Sequence, residues 1–247
     1  MTVRKFYVRH REGYPETEMQ DSALRGFKEL GIETQPYTWI DDIDTMTDLG
    51  PEVGVSGYVG DVLKALDRIG VKRPEPVDYP EVLQQYLCRK VWKGTASDVT
   101  SQTRPLFIKP VQHKLFTGFV WRPKNVESRS RLASVSEDEP VWISEVVDMR
   151  SEYRAFVLRG DLIDVRRYKG DWDLVPNRKI VEGAVQALGA PIASYCLDFA
   201  VSCTGATSLV EMNSFAFGHV GLKNSIYAEM LAARWEELAQ GPKSYGC

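Results

Sequence analysis

The stretch that decides the fold reads Leu197-Asp198-Phe199-Ala200-Val201 and, a few residues later, Leu209-Val210-Glu211-Met212-Asn213. Both halves are short apolar runs typical of strands, and Thr204-Gly205 between them indicates a turn. If the two strands pair in antiparallel fashion, Asp198 lies near Glu211 and Asn213, which share one face because they are two residues apart. Three oxygen-bearing side chains then converge.

This convergence favours a magnesium site. Mg²⁺ is a hard cation that takes oxygen ligands, usually one or two carboxylates together with nucleotide phosphates. A carboxylate within an apolar strand also carries a desolvation cost that a metal ion offsets. The alternative is an alternating strand that shows its polar side to solvent, and the cluster alone leaves both interpretations open.

Composition limits the class of protein. A chain of 247 residues, 43% hydrophobic and 26% charged, is expected to form one large or two small globular domains. The formal net charge of -3 argues against binding nucleic acid through bulk electrostatics. No secretory signal and no run of about 18 apolar residues occurs, so we expect a cytoplasmic protein without a membrane anchor. The oligomeric state is left open.

The four cysteines and three histidines are scattered along the chain, without a C-x-x-C pair. A zinc site needs clustered ligands, so none is expected, and the thiols are expected to be reduced.

The first third alternates short apolar runs with helical segments. Strands are expected at residues 5–9, 34–40 and 53–55, and helices at 21–30, where Asp21 would be the N-cap, and at 59–69. This order predicts an open α/β layer of mostly parallel strands. Pro74, Pro76 and Pro80 then indicate a stiff connector, so we place a domain boundary there, between residues 1–76 and 77–247.

The second part is predicted to be mainly strands. After a helix over residues 81–92, strands are expected at 106–109, 115–121, 141–147, 153–158 and 162–168, the last two joined by a hairpin at Arg159-Gly160-Asp161. A helix over 177–188, strands at 195–202 and 208–212, and a helix over 225–238 follow. Residues 123–140 are rich in Ser, Arg and Glu and are expected to form a surface loop.

The Asp followed by Glu-x-Asn resembles the magnesium-binding end of the ATP-grasp superfamily. The resemblance identifies Asp198, Glu211 and Asn213 as the metal ligands and implies ATP and Mg²⁺ as cofactors. It also implies an α/β (α+β) fold, in which an N-terminal Rossmann-like pre-ATP-grasp layer precedes a two-subdomain ATP-grasp domain.

Two upstream segments extend the resemblance. Ile143 to Tyr153 contains Glu145 and Glu152, which resemble the glutamates that open the adenine hinge and bind the ribose, with the backbone of Val147 as the adenine partner. Phe107-Ile108-Lys109-Pro110 resembles the strand whose lysine reaches the phosphates, although an apolar strand can also end in an edge lysine that snorkels to solvent.

Further nucleotide contacts are less well matched. The family has another cation on a helix before the lysine strand, and Arg89 is favoured over Lys90 for it. Residues 111–118 hold one glycine where many relatives have a glycine-rich loop, so Lys114 is the candidate for covering the phosphates.

The small ATP-grasp proteins of phages and bacteria look most similar, since they share Tyr79-Pro80, Lys109-Pro110, Thr117-Gly118 and Glu152-Tyr153-Arg154. This implies an ATP-dependent ligase that joins a small-molecule or peptide carboxylate to an amine through an acyl phosphate and releases ADP and phosphate. The alternatives are a small-molecule kinase on the same scaffold and a module that binds ATP without turnover.

Three side chains are candidates for the chemistry itself. Arg154 and Arg166 lie on facing hairpin strands, and either could stabilise the transferring phosphoryl group or the tetrahedral adduct. The alternative is that they pair with nearby acidic side chains. His219 follows the metal ligands and could act as a base for the incoming amine, although a structural role is favoured.

Overall fold

The computed structural model describes residues 2–112, 115–214 and 218–241. Its N-terminal layer contains the strands β1 (Lys5–Arg11), β2 (Tyr14–Pro15), β3 (Glu33–Tyr37) and β4 (Val53–Ser56). β1 is central and runs parallel to β3 and β4, with Tyr7 opposite Gln35 on one side and Val55 on the other. β2 turns back antiparallel onto the end of β1.

Two helices connect these strands, α1 (Glu18–Glu29) and α2 (Val59–Arg68). The expected N-cap at Asp21 is wrong, because Thr17 caps α1 by accepting a hydrogen bond from the Gln20 backbone N–H. A Thr side chain satisfies a free N–H of the first turn as well as Asp does, so the helix begins earlier than expected. α2 begins at the expected residue, with the Asp61 carboxylate accepting from the Tyr58 backbone N–H at 2.8 Å.

The middle sheet is wholly antiparallel. It contains β5 (Val91–Thr95), β6 (Leu106–Pro110), β7 (Phe119–Trp121) and β8 (Pro140–Glu145) in the order β5-β8-β6-β7. Two short helices, α3 (Ala96–Thr100) and α4 (Val126–Ala133), lie beside it. Leu106, Ile108 and Val141 are fully buried and form its own hydrophobic core with residues of both helices.

The third sheet carries the strands that decided the fold. β9 (Ser151–Leu158), β10 (Asp161–Gly170), β11 (Ser194–Val201) and β12 (Thr207–Asn213) pair antiparallel in the order β10-β9-β11-β12. The hairpin between β9 and β10 is confirmed, with Arg159 and Gly160 at φ values of 53° and 90°. Helix α5 (Arg178–Leu188) packs on one face of the sheet with the 3₁₀ helix Glu81–Tyr86.

The last helix, α6 (Asn224–Ala239), returns to the N-terminal layer. Its Trp235 indole contacts Phe6 edge to face at 6.5 Å between ring centroids and donates to the Gly50 carbonyl oxygen at 3.0 Å. Phe156 and Cys196 of the third sheet belong to the same core. The C-terminal helix therefore fastens the N-terminal layer to the third sheet, and the boundary at residues 76/77 stays a prediction.

The predicted helix over residues 81–92 is wrong in its second half. A 3₁₀ helix covers Glu81–Tyr86, Cys88 then has a φ of 51°, and β5 begins at Val91. A left-handed residue ends a helix, and the open edge of β8 provides hydrogen bonds for residues 91–95.

Two further expectations in the middle sheet are corrected. Residues 123–140 contain α4, because Asn125 caps the helix by accepting from the Ser128 N–H at 2.8 Å and Leu132 is buried beneath it. The strand expected over 115–121 begins only at Phe119, where pairing with Ile108 starts. The α/β class of the whole chain is confirmed, and none of the described helices has the length and apolarity needed to cross a membrane.

Candidate active site

Four charged residues form a row across the third sheet. Arg166 on β10 lies opposite Arg154 on β9, Arg154 lies opposite Asp198 on β11, and Asp198 lies opposite Glu211 on β12. Residues directly opposite in neighbouring strands project from the same face, so the row presents two cations followed by two carboxylates. At its other end the same face packs against α6, through Phe156 and Cys196.

Asp198 is the most buried member of the row, with 2% of its surface exposed. Arg154 donates to both of its carboxylate oxygens, from Nε to Oδ1 and from Nη2 to Oδ2, each at 2.8 Å. Burial raises the pKa of the Asp198 carboxyl above its usual value, and Arg154 opposes that rise by stabilising the charged form. Burial alone would lower the pKa of Arg154, but its hydrogen bonds to Asp198 outweigh that effect and the pKa is raised.

Glu211 and Asn213 are brought onto the same face as Asp198 by a bulge. The pairing shifts between Asp198/Glu211 and Phe199/Leu209, so Val210 has no partner on β11. The Asn213 Nδ2 lies 3.1 Å from Asp198 Oδ2 and 3.5 Å from Glu211 Oε1. Three oxygen-bearing side chains predicted to meet therefore do meet.

This donor set fits Mg²⁺. Two carboxylates and an amide are hard ligands, and the Asn213 amide exposes either oxygen or nitrogen to the same point by a rotation that exchanges its two ends. Within residues 2–112, 115–214 and 218–241 no group of three or more His, Cys, Asp or Glu side chains could hold a metal ion. A metal at this point therefore depends on the amide and on groups from a bound substrate.

Lys109 enters the site from the middle sheet. Its Nζ lies 2.5 Å from Glu211 Oε2 and 3.0 Å from Asp78 Oδ2, and it lies over the Tyr79 ring at 4.8 Å. Burial alone would lower the pKa of this amine, but Glu211, Tyr79 and Asp78 outweigh it and the pKa is raised. The ammonium is therefore charged, and it is not a snorkelling edge lysine, since only 13% of its side chain is exposed.

Sequence reasoning missed Asp78 as a partner of Lys109. Asp78 lies in the proline-rich connector, where we expected only a linker, and its backbone carbonyl also accepts from the Met212 N–H at 2.8 Å. The Tyr79-Pro80 dipeptide was the one available signal that this connector reaches the site.

The candidate adenine hinge joins the middle sheet to the third sheet. Glu145 ends β8, and its carboxylate accepts from the Lys90 backbone N–H at 3.1 Å and pairs with Arg104 at 3.5 Å. Val147 follows in a segment, residues 146–149, whose peptide groups make no backbone hydrogen bond to any described residue. An adenine edge needs such free donors and acceptors.

Glu152 is placed on the site face of β9, two residues before Arg154. Its carboxylate binds Lys169 Nζ at 2.5 Å and accepts from the Tyr168 hydroxyl at 3.0 Å. Its predicted role in binding ribose stays a prediction.

Arg89 lies on no helix, which corrects the expectation of a helical cation. Its guanidinium donates to the backbone carbonyls of Leu209 at 2.6 Å, Val210 at 2.8 Å and Leu87 at 3.1 Å. These bonds satisfy the carbonyls of the β12 bulge and so hold Glu211 in place. Direct contact between Arg89 and a nucleotide stays a prediction.

The remaining candidates differ in placement. Arg166 pairs with Asp164 on its own strand at 2.7 Å, and 45% of its side chain is exposed. Lys114 lies outside the described residues. His219 Nδ1 accepts from the Gly221 N–H at 3.0 Å, so a neutral ring carries its proton on Nε2 and has no lone pair free to act as a base. A structural role for His219 is favoured on this geometry.

Comparison with solved structures identifies the fold. D-cycloserine synthetase DcsG matches with a TM-score of 0.58 and 15% identity over 94% of this chain and 99% of that chain. D-alanine–D-alanine ligase from Bacillus anthracis in complex with ATP matches with 0.56 and 12% over 96% and 98%. ATP-grasp ligase PsnB in complex with its minimal precursor matches with 0.53 and 13% over 94% and 99%. The fold is that of the ATP-grasp proteins.

A family model described as an ATP-grasp domain, the second family of its clade, matches residues 86–230, more than half of the 247 residues. The chain therefore belongs to this ATP-grasp family, and the predicted superfamily is confirmed. No curated protein matches the chain.

Proposed function

We propose that this protein is an ATP-dependent carboxylate–amine ligase that activates its acid as an acyl phosphate and releases ADP and phosphate. The observation that carries the proposal is the convergence of Asp198, Glu211 and Asn213, with Lys109 facing them from the other sheet at 2.5 Å from Glu211. Phosphoryl transfer depends mainly on positioning and on neutralising charge, and this arrangement can do both.

Asp198, Glu211 and Asn213 would hold Mg²⁺, which neutralises charge on the phosphates when bound. Lys109 is charged and buried between the two sheets, so it would bind phosphate oxygens without leaving its position. The peptide groups at Val147 would bind adenine beside Glu145, and Glu152 would bind the ribose hydroxyls.

Arg154 is the cation nearest to the metal ligands on the third sheet. Its Nη1 also donates to the Gly218 carbonyl oxygen at 3.3 Å, so the guanidinium spans Asp198 and the segment after β12. In that position it would stabilise the negative charge of the tetrahedral adduct. Arg166 is more exposed and would contribute less.

The substrates would be a small-molecule or peptide carboxylate and an amine. Two of the structural neighbours were solved with relevant ligands, PsnB with its precursor and D-alanine–D-alanine ligase with ATP. We propose the same general chemistry for this chain, with ATP and Mg²⁺, in the cytoplasm and without nucleic acid or membrane.

The test is an ADP-release screen over amino acids and other small carboxylates, with hydroxylamine and a panel of amines as acceptors. Hydroxylamine traps an acyl phosphate as a hydroxamate, so mass spectrometry identifies the activated acid before the natural amine is known. Asp198→Asn and Glu211→Gln serve as blanks, and Glu182→Gln, in an exposed pair with Arg178, is the matched control.

Three outcomes are informative. Acid-dependent ADP release with a hydroxamate product supports the ligase. ADP release with an alcohol and a phosphate-ester product would instead identify a kinase. Binding of ATP without turnover for any acid or alcohol would identify a binding module.

A further inference from the structure

An apolar cleft lies in the N-terminal layer, at the carboxyl end of β4 and between α1, α2 and α6. Its apolar wall includes Phe6, Val55, Val59, Val62, Leu231 and Trp235. Its empty space of about 750 Å³, including the open mouth, falls within the roughly 300–1,000 Å³ of small-molecule sites. Open α/β sheets bind ligands at the carboxyl ends of their strands, where this cleft lies.

One end of the cleft adjoins the candidate active site. Arg234 lines the cleft, and its Nε donates to the carbonyl oxygen of Ser214, the residue directly after Asn213, at 2.9 Å. Met19 also lines the cleft, and its sulfur lies 3.3 Å from the position that a Cβ at Gly218 would take. The Gly218 carbonyl in turn accepts from Arg154. A molecule in the cleft can therefore reach the charged row with one end.

The cleft also presents two buried groups with unused hydrogen-bond capacity. The Gln20 side chain is in a residue only 2% exposed, and the Thr17 hydroxyl engages one end of its amide, which leaves the other end without a partner among the described residues. Arg234 is 8% exposed, and its Nη1 binds Glu237 at 2.6 Å while its Nη2 bonds to no described residue.

These features select the kind of occupant. An ammonium group has only donors, and the free Nη2 of Arg234 is a donor as well, so an amine substrate would meet a donor and a positive charge. A carboxylic acid offers acceptor oxygens instead. The apolar wall favours burial of a large hydrocarbon group, because apolar area removed from water is the main source of affinity in such a site.

We propose that this cleft binds the carboxylate substrate, and that this substrate carries a large apolar side chain of leucine to phenylalanine size. The inference rests on the proposed ligase function. The side chain occupies the space between Val62 and Leu231, and the reacting carboxylate lies toward Arg154 and Asn213. A free amino acid and the terminal residue of a short peptide share this chemistry.

The experiment compares acids in the hydroxylamine assay. Both enantiomers of leucine, phenylalanine, alanine, aspartate and lysine are tested, together with dipeptides that end in the same residues. Val62→Phe and Leu231→Phe fill the cleft from different helices. Leu63→Phe adds a ring to the same helix as Val62 but at a residue outside the cleft, and it serves as the matched control.

We expect the apolar acids to have the highest kcat/KM, by about tenfold or more over alanine. Each cleft-filling variant should raise KM for leucine or phenylalanine about tenfold while KM for ATP stays unchanged, and Leu63→Phe should do neither. Turnover by a free amino acid, by a dipeptide or by both identifies the source of the acid.

Other results overturn the inference. Preferred turnover of alanine, aspartate or lysine, or variants that leave KM for the acid unchanged, would sink it and leave the ligase function standing. If no acid is turned over, calorimetric titration of leucine and phenylalanine into the intact protein decides. Binding that Val62→Phe and Leu231→Phe both weaken preserves the cleft assignment without the ligase, and absence of binding removes both.

Discussion

Lys109 Nζ lies 2.5 Å from Glu211 Oε2, and this ion pair links β6 of the middle sheet to β12 of the third sheet. The two residues are 102 positions apart, and 30% of the Glu211 side chain remains exposed. The candidate phosphate-binding cation and a candidate metal ligand therefore already touch across the space between the sheets. The same carboxylate would have to serve both a metal ion and Lys109.

Glu211→Gln should abolish Mg²⁺-dependent ADP release while the protein stays folded. The change removes one hard, charged oxygen ligand without altering the side-chain volume. Activity is measured over a Mg²⁺ titration, and folding is checked by thermal unfolding, with Glu182→Gln as the control. Normal ADP release by Glu211→Gln would remove the metal assignment.

Arg154→Met should destabilise the fold by about 3–5 kcal/mol, because it leaves the Asp198 carboxylate buried without its partner. Asp198→Asn in the same background should recover much of that loss, since it removes the uncompensated charge. Urea unfolding of the wild type, both single variants and the double variant gives the coupling energy. Additive effects of the two changes would show that the pair contributes no mutual stabilisation.

Arg166→Met should lower kcat for ADP release several-fold with little effect on stability. Arg166 lies on the site face, whereas its neighbour Arg167 lies opposite Tyr153, whose side chain is buried and whose hydroxyl donates to the Leu174 carbonyl. Arg167→Met is therefore the matched control, and steady-state kinetics separate the two. Equal loss in both variants would argue for a general charge effect.

Tyr195→Phe should change the alkaline limit of stability. Burial raises the pKa of Tyr195 from 10.0 to about 12, and its hydroxyl donates to the Gly189 carbonyl oxygen at 2.7 Å. Because the folded pKa is the higher one, the contribution of the hydroxyl is fully present below pH 10 and is lost as the pH rises toward 12.

At pH 8 the variant should therefore be less stable than the wild type by about 1 kcal/mol, the net value of one hydrogen bond. Urea unfolding at several pH values should show this difference shrinking between pH 10 and 12, the window set by the two pKa values. Tyr14→Phe, at a residue 75% exposed, is the control. A difference that stays constant up to pH 12 would contradict the linkage.

Most strands and helices could be predicted because their patterns are local. The apolar runs of β9, β11 and β12 and the helical spacing of α5 each lie within a dozen residues. The errors occur where a distant partner decides. Residues 91–95 form β5 because β8 offers an edge to pair with, and residues 126–133 form α4 because its one buried leucine packs on the middle sheet.

The sequence by itself determined the family motifs and their order, since Asp198, Glu211, Asn213 and Lys109 stand in recognisable local patterns. Only the tertiary structure decided which groups neutralise them. It placed Arg154 on Asp198, turned Arg89 toward the carbonyls of a strand bulge, and brought Asp78 to Lys109. Ion pairs and hydrogen bonds act over a few ångströms in space, whatever the distance along the chain, so no local pattern could reveal them.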